Sequence, residues 1–337
     1  MRHPVLAASF LAMAALLPSC GRKGVVLYCS TDENTAKEVV KLAEEALGIR
    51  IEAVYDTEAN KTVGLVRQLF DEAAHPRCDV FWNNEVVHTA RLWKKGLLEP
   101  YASPAAAEIP AQFKGPDGAW TGFAARARIL IVNTDLLPDP AARPTSMWDL
   151  CDARWRGKAT MAKPVTGTTL THVAALFATF GEAEATRFLD GLKANGVGIE
   201  RSNGATMRLV SDGTYAFGFT DTDDFNVALR EKNFPVAAVF PDQGEGGAGT
   251  FLIPNTVCLI KGGPNPDNGR RLIDFLLSPA VERHLAASRS AQIPVRDSVE
   301  RPEWVRKVGE IKTVRWDPVA TGEWIDAHFG ALEKREW

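Results

Sequence analysis

The chain lacks the patterns that would announce several common chemistries. Its five cysteines, Cys20, Cys29, Cys78, Cys151 and Cys258, are scattered, and none stands in a CxxC pair, which argues against a zinc site. There is no basic run and no stripe of alternating aromatic and basic residues, and the formal net charge is −3. Both features count against a nucleic-acid surface. GxSxG, HExxH and P-loop motifs are missing, so no motif supports nucleophilic hydrolysis, metalloprotease chemistry or nucleoside triphosphate binding. Beyond the N-terminus no stretch is long and apolar enough for a transmembrane helix. Internal repeats and low-complexity tracts are also absent, which argues against a solenoid.

What remains is a globular composition. The 337 residues are 45% hydrophobic and 24% charged, enough for two domains. Residues 1–20 read as an export segment. Arg2 and His3 precede an apolar run from Val5 to Leu17 that is too short to span a bilayer and has the length of a signal-peptide core. It ends in Leu17-Pro18-Ser19-Cys20, which looks like a bacterial lipobox. Cleavage before Cys20 would leave a lipidated cysteine, and ordinary signal cleavage nearby is the alternative. Either way the mature protein is exported. Export permits disulfides. The four later cysteines allow three complete pairings, and free buried thiols are an equal reading, because Cys29, Cys78 and Cys258 adjoin strand-like runs.

The periodicity predicts an α/β chain. Val25–Cys29, Ile49–Val54 and Cys78–Trp82 read as strands. Each is followed by a helical pattern, over 35–46, 60–72 and 86–93. Three βα units in succession imply a parallel sheet covered by helices. Pro-, Ala- and Gly-rich sequence follows over 101–118. The run Ile129-Leu130-Ile131-Val132 then leads into a second series, with strands over 158–162, 197–200, 215–219 and 236–240 and helices over 170–180, 184–194, 205–212 and 224–231. A strand over 251–260 returns, and helices are expected over 265–277, 279–287 and 322–333. The picture is two α/β lobes joined by crossings near 127–132 and 250–255, with the ligand site between them.

The stretch Gly218-Phe219-Thr220-Asp221-Thr222-Asp223-Asp224 ends one of these strands in hydroxyls and carboxylates. Ligands of open α/β sheets sit outside the carboxyl ends of strands. Asp221, Asp223 and Asp224 with Glu85 could form an all-oxygen site for a hard cation. Capping of the following helix by Asp223 or Asp224 is the competing role. A second set suits an anion instead. Ser30, Thr31, Thr166, Gly167, Thr168, Thr169, Asn203 and Gly204 offer hydroxyl, amide and backbone N–H donors near helix starts. Arg126 or Arg128 could clamp a carboxylate or phosphate. Helix capping by Thr166–Thr169 and salt bridging by the arginines are the plain alternatives. If both sets face one cleft, the pocket suits a small zwitterion, or a metal held with an anion. Trp82 is either a cleft wall or core. His88 and His172 sit in helical runs, where packing is the commoner role.

These segments together carry a resemblance. VVLYCSTDE, CDVFWNNEVVHTARLWKKGLLEPY, WTGFAARARILIVNTDLLP, SMWDLCDARWRGKATMAKPVTGT and AAVFPDQGEGGAGTFLIPNTVCLIKGGPNPDNGRRLIDFLLSPAVE resemble bacterial extracytoplasmic solute-binding proteins, in the group that includes the ferric-iron-binding proteins. The likeness runs from Val25 to Pro294. It implies a two-lobed periplasmic-binding-protein fold of type II-like form, with the ligand cleft between the lobes. Lobe 1 would comprise 25–127 plus 255–300, lobe 2 128–254, and 301–337 would be an extension packing on the outside. It also implies a monomeric, non-enzymatic receptor without a cofactor. Such a receptor serves the permease and ATPase of an ABC importer, in the periplasm or at the cell surface, here with an anchor at Cys20. A sensor partner or an enzyme on the same fold is the alternative class. Iron-binding members hold Fe³⁺ through two adjacent tyrosines after the strand matching 215–219, with a histidine from the first loop and a glutamate from the second. This chain has no tyrosine in 220–224 and no histidine in 30–33, and keeps only Glu85. The resemblance therefore implies cleft residues Ser30, Thr31, Asn84, Glu85, Arg128, Thr166, Gly167, Thr168, Asn203, Thr220, Asp221 and Asp223. Glu85, Asp221 and Asp223 are the candidate ligands if Fe³⁺ or a divalent ion is the cargo, and a phosphonate, phosphate ester or amino acid is the alternative cargo.

Overall fold

Residues 24–56 and 63–337 are described by a computed structural model. The export segment, Cys20 and the expected helix start at Asn60 lie outside the described residues.

The first lobe opens with β1 (Val25–Cys29), α1 (Glu33–Leu47), β2 (Ile51–Tyr55), α2 (Val63–Asp71), β3 (Val80–Asn83), α3 (Val87–Lys94) and β4 (Leu98–Glu99). Its helix signals are the expected ones. Asp32 caps α1, accepting from the backbone N–H groups of Asn34 and Thr35, and Gly48 ends the helix at φ 60°, a left-handed turn that glycine adopts without a Cβ penalty. Parallel pairing places β1 between β2 and β3.

The long strand β5 (Thr121–Asn133) is buried at every residue. Through Thr121–Ala127 it pairs antiparallel with β10 (Leu252–Ile260), which also borders β3 and β4. From Arg128 onward it pairs instead with β8 (Phe217–Asp221) and β9 (Val236–Val239). β8 continues the sheet to β6 (Ala159–Ala162) and β7 (Gly198–Glu200). A single strand thus belongs to both half-sheets, and the order is β2-β1-β3-β10-β5-β8-β6-β7. The second half is covered by α4 (Gly167–Phe180), α5 (Glu182–Ala194), α6 (Asn203–Ser211) and α7 (Thr222–Asn226), and the first half by α8 (Pro266–Leu276) and α9 (Pro279–Ala287). The result is the expected two-lobed α/β fold.

The join is kinked. The register of β5 and β10 shifts between Pro254 and Asn255, and Ala124 opposite the shift stands at φ 43°. The buried Asn255 amide donates to the carbonyls of Phe123 and Ala124 and to the Gln292 side chain, so the backbone groups freed by the bulge find partners.

Three expectations need correction. The strand drawn over 215–219 lies at 217–221, because the chain is still turning at Gly213 (φ 81°) and pairing with β5 continues through Thr220 and Asp221. The helix drawn over 224–231 is the short α7 followed by one π-helical turn at Val227–Glu231. The cap position of α7 is Asp221, which makes no side-chain capping bond, while Asp223 Oδ1 accepts from the Asp224 backbone N–H inside the first turn. The cysteine alternatives resolve to thiols, since Cys29, Cys78 and Cys258 are buried and unbridged and Cys151 is half-buried and unbridged. Finally, α10 (Pro318–Glu333) packs on both lobes. Asp326 and Glu323 pair with Arg91 and Lys94 of α3, while Trp324 stacks on Phe177 of α4 at 4.2 Å.

Candidate functional site

At the carboxyl end of β8, Asp221 lies directly opposite Arg128 of β5. The Arg128 guanidinium is fully buried. Its Nη1 donates to Asp221 Oδ1 at 2.8 Å and to Thr168 Oγ1 at 3.3 Å, and its Nη2 to Thr169 Oγ1 at 3.2 Å. It also lies over the Phe219 ring, 4.5 Å from the centroid. The other Asp221 oxygen accepts from the Thr168 hydroxyl and from Asn203 Nδ2, the latter at 3.0 Å. Thr169 donates in turn to Asn203 Oδ1. A buried carboxylate survives only when its charge is matched and its lone pairs are used, and both conditions hold here. The Thr168 and Thr169 side chains therefore serve Asp221 and Asn203 rather than capping α4. Thr166, at the cap position, makes no side-chain capping bond.

Above this network lies a cavity of ≈ 60 Å³, lined by Asn84 from the first lobe, Arg126 from β5, residues 166–169 and 202–204 from the starts of α4 and α6, and Asp221, Asp223 and Asp224. Two helix N-termini meet there, which is the backbone arrangement that favours an anion. Gly167, at φ 56°, leaves open space where a Cβ would project. Carboxylate oxygens of Asp221, Asp223 and Asp224 lie within 4.8 Å of one another. Arg126 is 4% exposed. Its Nη1 is 3.9 Å from Asp223 Oδ2, beyond hydrogen-bond length. Its Nε and Nη2 are buried without a partner.

The first-lobe candidates are arranged differently. Ser30 donates to Asn83 Oδ1 and accepts from the Asn84 backbone N–H, and Thr31 bonds Asn255. Neither lines the cavity. Glu85 is fully buried. Its oxygens accept from Asn83 Nδ2, from the backbone N–H groups of Val87 and His88 and from the Thr171 hydroxyl, and face His88 Nδ1 at 3.1 Å. Burial alone would raise its pKa, but the His88 ring and these donors outweigh burial and bring it down to about 2. Glu85 does not reach the cavity with Asp221 and Asp223. Thr220 bonds Asp224. Trp82 is core, packed on Phe123. His172 is wedged between Phe219 and Phe251, where burial and then the nearby Arg128 charge push its pKa well down.

The structure thus brings together Asn84, Arg126, Thr166, Gly167, Thr168, Thr169, Asn203, Gly204, Asp221, Asp223 and Asp224 and adds Ser202. Arg126 and Arg128 are two apart on one strand and so share a face. Which of them is neutralised follows only from the β5–β8 register.

Comparison with known proteins comes from three directions. Residues 79–320 match the family described as bacterial extracellular solute-binding protein. The chain is 26% identical over 326 residues to iron uptake protein A1 of Synechocystis sp., covering 88% of this chain and 86% of that one. It is 28% identical over 239 residues to a Salmonella typhi periplasmic protein named for 2-aminoethylphosphonate binding, covering 70% and 67%. In three dimensions it resembles iron-bound HitA from Pseudomonas aeruginosa, with a TM-score of 0.82 at 24% identity over 92% of this chain and 98% of that one.

Proposed function

We propose, on the premise that this chain belongs to the bacterial extracellular solute-binding protein family, that it is the receptor of an ABC importer and that its solute is a small organic molecule with an anionic head. Members of this family are binding proteins, not enzymes, so the cleft is read as a capture site. Among the described residues no helix is long and apolar enough to cross a membrane. Attachment through Cys20 is part of the proposal.

The observation that carries the anionic reading is Arg126. Two of its guanidinium nitrogens are buried without a hydrogen bond, at a cost of about 1–3 kcal/mol or more for each unsatisfied group, and an oxyanion that reached them from the cavity would remove that cost. The same oxyanion meets the starts of α4 and α6, so charge, donors and helix ends favour the same ligand group. Asp223, whose carboxylate stands 3.9 Å from Arg126, and Asp224 place negative charge in the same cavity and suit a cationic group on the same solute, as in an aminophosphonate or amino acid.

A ferric or divalent cargo is the second reading, favoured by the three clustered carboxylates. The donor set fits it less well. Both Asp221 oxygens are already engaged by Arg128, Thr168 and Asn203, and two guanidinium groups flank the cluster. Native mass spectrometry with metal analysis of the purified protein, followed by titration calorimetry with 2-aminoethylphosphonate and inorganic phosphate, separates the readings. The expected result is an organic anion retained by the wild type and lost from Arg126→Met, with affinity at least tenfold weaker in that variant. Stoichiometric iron retained equally by both proteins would overturn it.

A further inference from the structure

The acid that the resemblance would make a cargo ligand has a different set of partners here. We infer that Glu85 is a positioning residue that holds the cleft closed, by accepting the Thr171 hydroxyl of α4 across the gap between the lobes. The inference rests on the proposed anion site only in that α4 carries it.

Glu85 follows the end of β3 in the first lobe. Four of its contacts come from its own vicinity: Asn83 at 2.7 Å, the Val87 and His88 backbone N–H groups at 2.6 and 2.9 Å, and the His88 ring at 3.1 Å. They fix the carboxylate in place before the other lobe arrives. Its main chain is tied as well. The Thr256 hydroxyl of β10 donates to the Glu85 carbonyl at 2.9 Å and lies 2.7 Å from the Thr89 hydroxyl. The acceptor is therefore pinned to the strand that returns through the join.

The fifth contact comes from the second lobe. Thr171 Oγ1 donates to Glu85 Oε2 at 2.9 Å, and both side chains are fully buried. Thr171 is one helical turn beyond Thr168, on the same face of α4. Thr168 contacts Asp221 and lines the cavity. The bond to Thr171 is thus made one turn from the proposed anion seat. When the lobes part, Glu85 keeps its four local contacts and Thr171 loses its acceptor. The cross-lobe bond exists only in the closed form, so it stabilises closure without being needed to fold either lobe. A preorganised, charged acceptor pays little ordering entropy for a new bond.

The test places dyes at Lys41→Cys and Glu184→Cys in a Cys151→Ser background of the full mature chain. Lobe separation is then read by single-molecule energy transfer, without ligand and with 2-aminoethylphosphonate or phosphate. Thr171→Val should lower the closed population about tenfold and speed release of a bound probe by a similar factor. Thr171→Ser, which restores the hydroxyl, should return both to the wild-type values. The melting temperature should change little, a split that a purely structural role would not give. A closed population that is absent in the wild type, or unchanged in Thr171→Val, overturns the inference. If neither probe binds the wild type, the anionic reading fails, while the ligand-free distributions still judge Glu85 and Thr171.

Discussion

At the scale of single residues, the site turns on two arginines that look equivalent in sequence. Arg126 and Arg128 share a face of β5, yet Arg128 is spent on Asp221 and two threonines, while two Arg126 nitrogens have no partner. The difference follows from register: Arg128 stands opposite Asp221, and Arg126 stands opposite Ile253 of β10. Sequence reasoning could name both but could not choose, because the choice depends on pairing between strands some 90 residues apart. Their substitutions should therefore behave in opposite ways. Arg128→Met removes one partner of a buried pair and leaves Asp221 charged and unmatched. It should cost about 3–5 kcal/mol of folding stability in denaturant titrations. Arg126→Met removes two unsatisfied guanidinium nitrogens and only a long ion pair, 3.9 Å from Asp223, and should leave stability equal or higher. Equal losses in the two variants would contradict the assignment.

At the scale of elements, strands and helices with clean periodicity were legible. Asp32 and Gly48 bracket α1 as their residue types imply, and β3 followed by α3 was visible from its apolar pattern. Element ends were not legible where polar residues are held by tertiary partners. β8 runs on through Thr220 and Asp221 because β5 continues opposite. At the start of α4, Thr168 and Thr169 give their hydroxyls to Asp221 and Asn203, and the cap-position Thr166 makes no side-chain capping bond. Glu85 illustrates the same limit at α3. As an acid before a helix it looked like a cleft ligand, but its carboxylate binds the first N–H groups of that helix. This arrangement has a pH signature. Its folded pKa of about 2 lies below the ordinary value of 4.5, so its stabilisation is fully present above about pH 4.5 and is lost as pH falls towards 2. Acid titration of unfolding free energy should show a steeper loss in wild type than in Glu85→Gln between those limits. Parallel curves would show that the carboxylate is not stabilised by its surroundings.

At the scale of the whole molecule, three connections govern how the lobes move against each other. β5 and the start of β10 pass through the join, where the kink at Ala124 and Asn255 marks the bend. The third is α10, which was expected to pack on the lobes, but whose particular partners α3 and α4 could not be inferred because its apolar residues are not segregated to one face. Its charged residues hold α3, and Trp324 holds α4. Exposed ion pairs such as Lys94–Glu323 are each worth little, whereas an aromatic stack adds about 0.5–1.5 kcal/mol beyond its buried area. The grip on the second lobe should therefore be the stronger one and should rest on Trp324. Trp324→Ala is expected to lower stability by about 1–3 kcal/mol and to broaden the distribution of lobe separations. Lys94→Ala should change stability by less than about 0.5 kcal/mol and leave the distribution as it is. Unfolding curves and small-angle scattering on the two variants provide the comparison. A Trp324→Ala protein with wild-type scattering and wild-type stability would mean that α10 rests on the second lobe without restraining it, leaving β5 and β10 as the connections that set the swing of the cleft.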